Sequence, residues 1–233
     1  LPWQTAWLAR TLRSRDRAHH ALLIAGPAGL GKKTLALNLA QALLCESPRS
    51  DGLACGQCAG CGYVAARTHP DLRILDRFDY DEDDEEWVVV NEIRVERVRR
   101  VTAMLETSAH RAGERIAVVA PAELMNAPSS NALLKTLEEP PPGATLLLVS
   151  DQPGRLLPTV TSRCLRVDAP RPADGEAIAW LRERGVADPA GALALAGGAP
   201  LAALALADPA ASAEREAWFD ALARVNTIAI DLD

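Results

Sequence analysis

The chain's 233 residues are 48% apolar and 24% charged, which suits a folded protein with one large core or two ordinary ones; two domains is the expectation. Its net charge of −6 argues against a surface that coats nucleic acid indiscriminately. The first residue is Leu1 and not Met, so a few residues are expected upstream, and no basic start followed by an apolar core indicates export, which predicts a cytoplasmic location.

An amphipathic segment containing Trp3, Trp7, Leu8 and Leu12 comes first. "HALLIAG" then reads as a short apolar strand and residues 32–44 as a helix, which together make a strand, loop and helix unit. The loop "GPAGLGKKT" meets the phosphate-binding pattern G-x-x-x-x-G-K-[ST] at Gly26, Gly31 and Lys32, but carries Lys33 where the hydroxyl belongs. Gly29 and Gly31 permit close backbone approach to a phosphate, and Lys32 opens a helix whose N-terminus attracts anions. Lys33 cannot hold Mg²⁺, and Thr34 comes one residue late, about a third of a turn round the helix. Such a degenerate loop either binds nucleotide weakly or merely completes a strand-to-helix turn.

Four of the five cysteines follow at Cys45, Cys55, Cys58 and Cys61, in a C-x9-C-x2-C-x2-C pattern. Small, flexible Gly and Ala residues let the last three thiols turn toward one centre, and Cys45 at the end of the preceding helix supplies the fourth corner. Zinc favours this closed thiolate shell, and with all four positions filled by protein the metal would be structural and not catalytic. An iron–sulfur cluster and disulfides are the competing readings; a reducing compartment disfavours the disulfides. Cys164 stands apart and reads as a small buried residue.

"LRIL" at 72 reads as a buried strand, and "DRFDYDEDDEE" over 76–86, with eight acids and one Arg, as a solvated mobile loop. Outside that run 24 Lys and Arg face 23 Asp and Glu, so a local basic face stays open as an expectation. "EIRVERVRRVTAML" places Ile93, Val98, Val101 and Leu105 at helical spacing. "RIAVVA" at 115 is a further strand, and it ends in Ala120 and Pro121 where a nucleotide hydrolase needs adjacent acids; Glu123 lies beyond the proline. "SSNALLKTLEEPP" reads as a helix that begins at capping serines and stops at prolines, followed by the strand "TLLLVS" at 145. Alternating strands and helices predict an α/β fold with a parallel sheet covered by helices. From about residue 170 only Ala-rich helical segments follow, broken by Pro and Gly. The uncharged stretch between Asp188 and Asp208 reads as two short helices and not a membrane span, because Gly197, Gly198 and Pro200 interrupt it. No internal repeat is evident.

At "NALLKTLEEPP" followed by "LLLVSDQPGRLLPTVTSRC" the chain resembles bacterial clamp-loader subunits of the AAA+ class. With the four-cysteine insert and the degenerate loop, the resemblance is strongest to the delta-prime type of DNA polymerase III subunit, over residues 1–226. It implies a AAA+ P-loop-type domain over 1–169 with a zinc module at 45–61, and a small all-α lid domain over 170–233. It further implies a helical collar domain that this chain lacks, so a monomer is expected.

The resemblance also implies roles for single residues. Arg163 of "SRC" would reach in trans into a neighbouring subunit's ATP site, where a planar, permanently charged guanidinium suits the terminal phosphate. Ser150 would be the polar sensor, and the second sensor arginine, expected near Leu201, is missing. The implied function is a non-hydrolysing subunit in a hetero-pentamer with gamma/tau and delta subunits. That complex places a sliding clamp on primed DNA as part of a DNA-directed DNA polymerase, and no independent ATPase activity is expected. The alternatives are a catalytically active AAA+ ATPase and a zinc-stabilised DNA-binding module.

Overall fold

A computed structural model describes residues 1–13, 19–81, 86–111 and 113–208, without the side chains of 79–87. Its contacts divide the chain into two units, one of residues 1–27 and 31–170, the other of residues 28–30 and those from 171 onward.

In the first unit, a single 3-10 turn at Pro2–Gln4 leads into α1 (Thr5–Arg13), which buries Trp7 and Leu8. The strand β1 (Ala21–Ala25) enters the glycine loop, and α2 (Lys32–Leu43) leaves it. A short helix, α3 (Ala59–Ala65), forms inside the cysteine segment, and β2 (Leu72–Leu75) follows. The acidic run departs from the expected loop: β3 (Phe78–Asp81) and β4 (Glu86–Val89) pair antiparallel, Phe78 opposite Val89. Phe, Tyr, Trp and Val are residue types with high strand propensity, and the acids among them obscure it in the sequence. Residues 82–85 of that run lie outside the described residues.

The next helix, α4 (Val95–Glu106), begins later than the apolar spacing suggests. Ile93 precedes it and forms an isolated bridge to Met125, so this residue is buried by a sheet-like contact and not by a helix face. After β5 (Arg115–Val119) comes α5 (Ala127–Glu138), whose N-cap is Asn126 and not a serine. The Asn126 side chain accepts the Ser129 N–H at 2.8 Å, while the Ser129 hydroxyl donates to the Ile93 carbonyl at 2.5 Å. Then β6 (Ala144–Ser150), α6 (Pro158–Thr161) and β7 (Leu165–Asp168) complete the unit. The strand β7 was not legible in "CLRVD", because three of its four residues are exposed and no apolar run marks it.

Five strands form one sheet in the order β2-β5-β6-β1-β7, and every pairing is parallel. All residues of β1 and β5 are buried, as central strands covered on both faces require. Leu23, Ala117, Val119, Leu146 and Leu148 share one core with Val98, Val101 and Leu105 of α4 and Leu133 and Leu137 of α5. The helix α2 packs on β1, β5 and β6.

Arg115 opens β5 yet is 6% exposed. Its guanidinium donates to the carbonyls of Leu105 (2.7 Å), Thr107 and Pro142, tying the end of α4 to the turn before β6. Arg115→Met keeps the apolar stem and leaves three carbonyls without this donor. It should lower stability by about 2–3 kcal/mol. Chemical denaturation checks this, and an unchanged midpoint contradicts it.

The second unit holds α7 (Asp174–Arg182), α8 (Pro189–Leu195) and α9 (Pro200–Leu206), which pack pairwise on one another. The axes of α8 and α9 differ by 108°, and among the described residues no single helix is long and apolar enough to cross a membrane. The uncharged stretch is two short helices, as its glycines and proline predict.

Candidate functional site

In an open parallel sheet, ligands gather at the carboxyl ends of the strands. Here those ends are Ala25 of β1, Leu75 of β2, Val119 of β5 and Ser150 of β6, and each is followed by a residue that the sequence reading singled out or should have. Gly31 is in the left-handed conformation (φ +80°) as the N-cap of α2, and its carbonyl accepts the Gln4 side-chain amide at 2.9 Å. The amphipathic N-terminal segment thus braces the loop.

Lys32 is buried, with 3% of its side chain exposed. Its ammonium donates to the Pro27 carbonyl at 2.6 Å and lies 2.5 Å from the Asp151 carboxylate, one residue beyond β6. The backbone N–H of Asp151 in turn donates to Glu123 at 3.0 Å. Sequence reading missed Asp151, whose only signal is its place directly after the sensor position. The Ser150 hydroxyl accepts the Gln152 N–H at 3.1 Å and is fully buried. Lys33 pairs with Asp76 at 2.5 Å, just past β2, and Asp76 also accepts the Phe78 N–H at 2.9 Å. Thr34 is exposed. The two lysines that a phosphate would meet are therefore both held by carboxylates of the chain itself.

Gly29 also meets a packing requirement that its motif does not suggest. Within the second unit its carbonyl accepts the Leu201 N–H at 2.9 Å, and a Cβ at Gly29 would stand 2.5 Å from that of Ala202 and 2.6 Å from its backbone nitrogen. Glycine is required here by helix α9, since a φ of +82° and that contact both exclude a side chain. Leu201, near the expected position of the second sensor, contributes its backbone N–H to this contact.

The Asp151 carboxylate stands where an incoming anion would have to displace it from Lys32. Asp151→Asn keeps a hydrogen-bonding side chain and removes the charge. It should raise affinity for inorganic pyrophosphate or ADP by about tenfold, at a cost of roughly 1 kcal/mol in stability, because Asp151 is 42% exposed and its pairing is screened. Calorimetric titration checks the first and thermal melting the second; unchanged anion affinity would show that Lys32 is not limited by this carboxylate.

The four cysteines converge. Their sulfurs all lie within 4.8 Å of one another, with Cys45 and Cys58 3.8 Å apart and Cys55 and Cys61 3.9 Å apart. A Zn–S bond of about 2.3 Å in a tetrahedron separates sulfurs by about 3.8 Å, so the set fits one tetrahedral ion. A multi-iron cluster, which gives each thiolate its own iron, needs wider spacing. Cys45 follows α2, Cys58 caps α3 and Cys61 lies within it. Backbone N–H groups of Cys55, Gln57, Cys58 and Cys61 donate to the sulfurs at 3.3–3.4 Å, which favours thiolates.

The donation from Cys61 holds the Cys58 thiol down to about 6, whereas burial pushes Cys61 up to about 12. A dication bound by all four would ionise Cys61 against that burial. Gly60 lets α3 dock on the end of α2, since a Cβ there would stand 2.6 Å from the Leu44 carbonyl. Glu46 pairs with Arg111 at 2.7 Å, and Arg111 lies over the Tyr63 ring, which fastens the module to the segment before β5. Cys164 packs beside the core of the first unit, and burial raises its thiol to about 11.

Arg163 follows α6 and keeps 35% of its side chain exposed. It is folded back on α5: its Nε donates to Glu138 at 2.8 Å, a second nitrogen lies 2.5 Å from the same carboxylate, and Nη1 donates to the Thr159 carbonyl at 2.9 Å.

A family model described as "DNA polymerase III, delta subunit" matches residues 4–172. The chain is 42% identical over 206 residues to the DNA polymerase III subunit delta' of Pseudomonas aeruginosa, covering 87% of this chain and 60% of that one. This chain belongs to the DNA polymerase III delta-prime family. The delta' subunit of Escherichia coli is 40% identical over 194 residues, 82% of this chain and 55% of that one, so the chain spans a little over half the length of such relatives. Among solved structures, a gamma subunit-related protein of DNA polymerase III from Thermotoga maritima superposes with a TM-score of 0.56 at 21% identity, covering 85% of this chain and 58% of that one. That likeness is one of fold, the parallel sheet flanked by helices.

Proposed function

We propose that this chain is the AAA+-like part, domains 1–169 and 170–233, of a cytoplasmic clamp-loader subunit that does not hydrolyse ATP and serves a neighbour's site through Arg163. The observation that carries this reading is the contrast between its cations. The pairs Lys32–Asp151 and Lys33–Asp76 each have one buried member, Lys32 at 3% and Asp76 at 7% exposure, whereas neither Arg163 nor its partner Glu138 is buried. Lys33 stands where the loop's hydroxyl belongs, β5 ends in Ala120 and Pro121 and not in adjacent acids, and Glu123, beyond that proline, accepts the Asp151 N–H on one carboxylate oxygen. The glycine loop, through Gly29, Gly31 and Lys32, then completes a strand-to-helix turn, and Ser150 is a buried turn residue. The partners are gamma/tau and delta subunits in a hetero-pentamer, and through them the sliding clamp and primed DNA.

The cysteine cluster holds a structural zinc in this reading. It has no open coordination position, and the module's role is to order the segment between α2 and β2.

The experiment is DNA- and clamp-stimulated ATP hydrolysis by a loader reconstituted with and without a form of this subunit extended to the length of its relatives. The isolated chain should be inert, and omission of the subunit should lower the rate. Turnover by the isolated chain that is lost in Lys32→Ala favours the active ATPase instead.

A further inference from the structure

We infer that the free edge of β2 and the groove beside it form a docking site for an extended, acidic segment of a partner protein, taken up as an added strand. Among the described residues, β2 borders the sheet and pairs only with β5. The carbonyls of Asp71 and Leu75 accept the N–H groups of Ile116 and Ala120, both at 2.8 Å, so residues 71, 73 and 75 face β5. By the two-residue alternation of a strand, Leu72 and Ile74 turn their backbone groups outward. The groups of Leu72 are used, its N–H by the His69 carbonyl at 3.2 Å and its carbonyl by the Arg73 guanidinium at 3.0 Å. Among the described residues, the outward N–H and C=O of Ile74 have no partner. One open rung remains on the edge.

The groove next to it has a volume of about 800 Å³. Ile74 and Val101 give it an apolar wall, and Arg67, Arg73, Arg97 and Arg100 surround it; among the described residues the one acid in the lining is Asp76, which lies 2.5 Å from Lys33 and 3.8 Å from Arg67. Among the described residues, four arginines against one aspartate make this lining predominantly positive. Arg97 is fixed, donating to the carbonyls of Asp76 and Phe78 at 3.2 and 2.9 Å, so it shapes the wall. Arg67 is exposed and has φ +56°, where the end of a helix such as α3 ordinarily places glycine. An arginine in that strained position costs stability, and strain of this kind points to a use for the side chain.

The open rung decides between the two polyanions that an arginine-rimmed groove could take. It offers one donor and one acceptor, which a peptide backbone satisfies together, whereas a phosphate backbone only accepts. The apolar wall favours aliphatic side chains between the acids.

Display selection of random twelve-residue peptides on the chain, followed by fluorescence anisotropy with the selected peptides, tests the site. The expected winners alternate acidic with aliphatic residues. Their affinity should fall at least about tenfold in Arg67→Glu/Arg100→Glu, since each charge-assisted contact is lost. Ile74→Pro should abolish binding and retain the fold, because the N–H it removes belongs to no ladder bond. Arg67→Gly is the most telling variant, expected to melt higher while binding several-fold more weakly. The proposal is overturned if no acidic peptide is selected, if selected peptides bind the double variant as well as the wild type, or if a twelve-residue oligothymidylate displaces them through the same arginines. The arginines would then only guard the edge against aggregation.

Discussion

Arg163→Ala is expected to slow ATP turnover at the neighbouring subunit's site by about a thousandfold, the usual worth of an arginine finger in P-loop enzymes. The total rate of a loader with several active sites falls less, so the informative reading is single-turnover phosphate release in a reconstituted loader with the extended subunit. Arg163→Lys keeps the charge and loses the planar fork, and should recover only a small part of the rate. Glu138→Gln weakens the pairing of Arg163 with its carboxylate partner. Because Glu138 is 50% exposed and holds Arg163 on the surface, its neutralisation should leave the chain stable and turnover at least as fast as in the wild type. If Arg163→Ala leaves the rate untouched, Arg163 is a surface residue that binds Glu138 and the Thr159 carbonyl and nothing more.

The second large effect concerns the cysteines. Elemental analysis is expected to give about one zinc per chain, and Cys61→Ser or prolonged chelation should unfold the segment between α2 and β2. Four-ligand zinc sites supply on the order of 10 kcal/mol of folding free energy in small domains. Here contacts such as Glu46–Arg111 hold part of the module without a metal, so the loss should appear as local opening, read by hydrogen exchange over 45–66, together with a lower melting temperature of the whole chain. Iron in place of zinc, or a chain that loses nothing to chelators, defeats the assignment. Cys164→Ser serves as the control and should change neither metal content nor exchange in the module, since this thiol stands apart beside the core.

Most of the sheet was legible because its strands are short runs of branched aliphatics, and β1, β5 and β6 are buried on both faces. Two kinds of element escaped. Exposed β7 has no apolar run to mark it, and the β3–β4 hairpin is hidden under acids whose repulsion suggested a loop. Helix starts were shifted by capping: Asn126, and not the serines after it, begins α5, because its side chain reaches the Ser129 N–H while the serine hydroxyl turns to Ile93.

The sequence by itself determined the degenerate loop, the four-thiol set, the missing acids after β5 and the position of Arg163, because each is a local pattern in which spacing alone places the chemistry. What the tertiary structure decided is where the charges go. Asp151 and Asp76 reach Lys32 and Lys33 only because the parallel sheet brings the carboxyl ends of β6, β2 and β1 together, and Gly29 meets a packing requirement only because Ala202 of α9 lies against it. Ion pairs between distant residues follow from strand order, and strand order is a property of the packed core that no single segment carries.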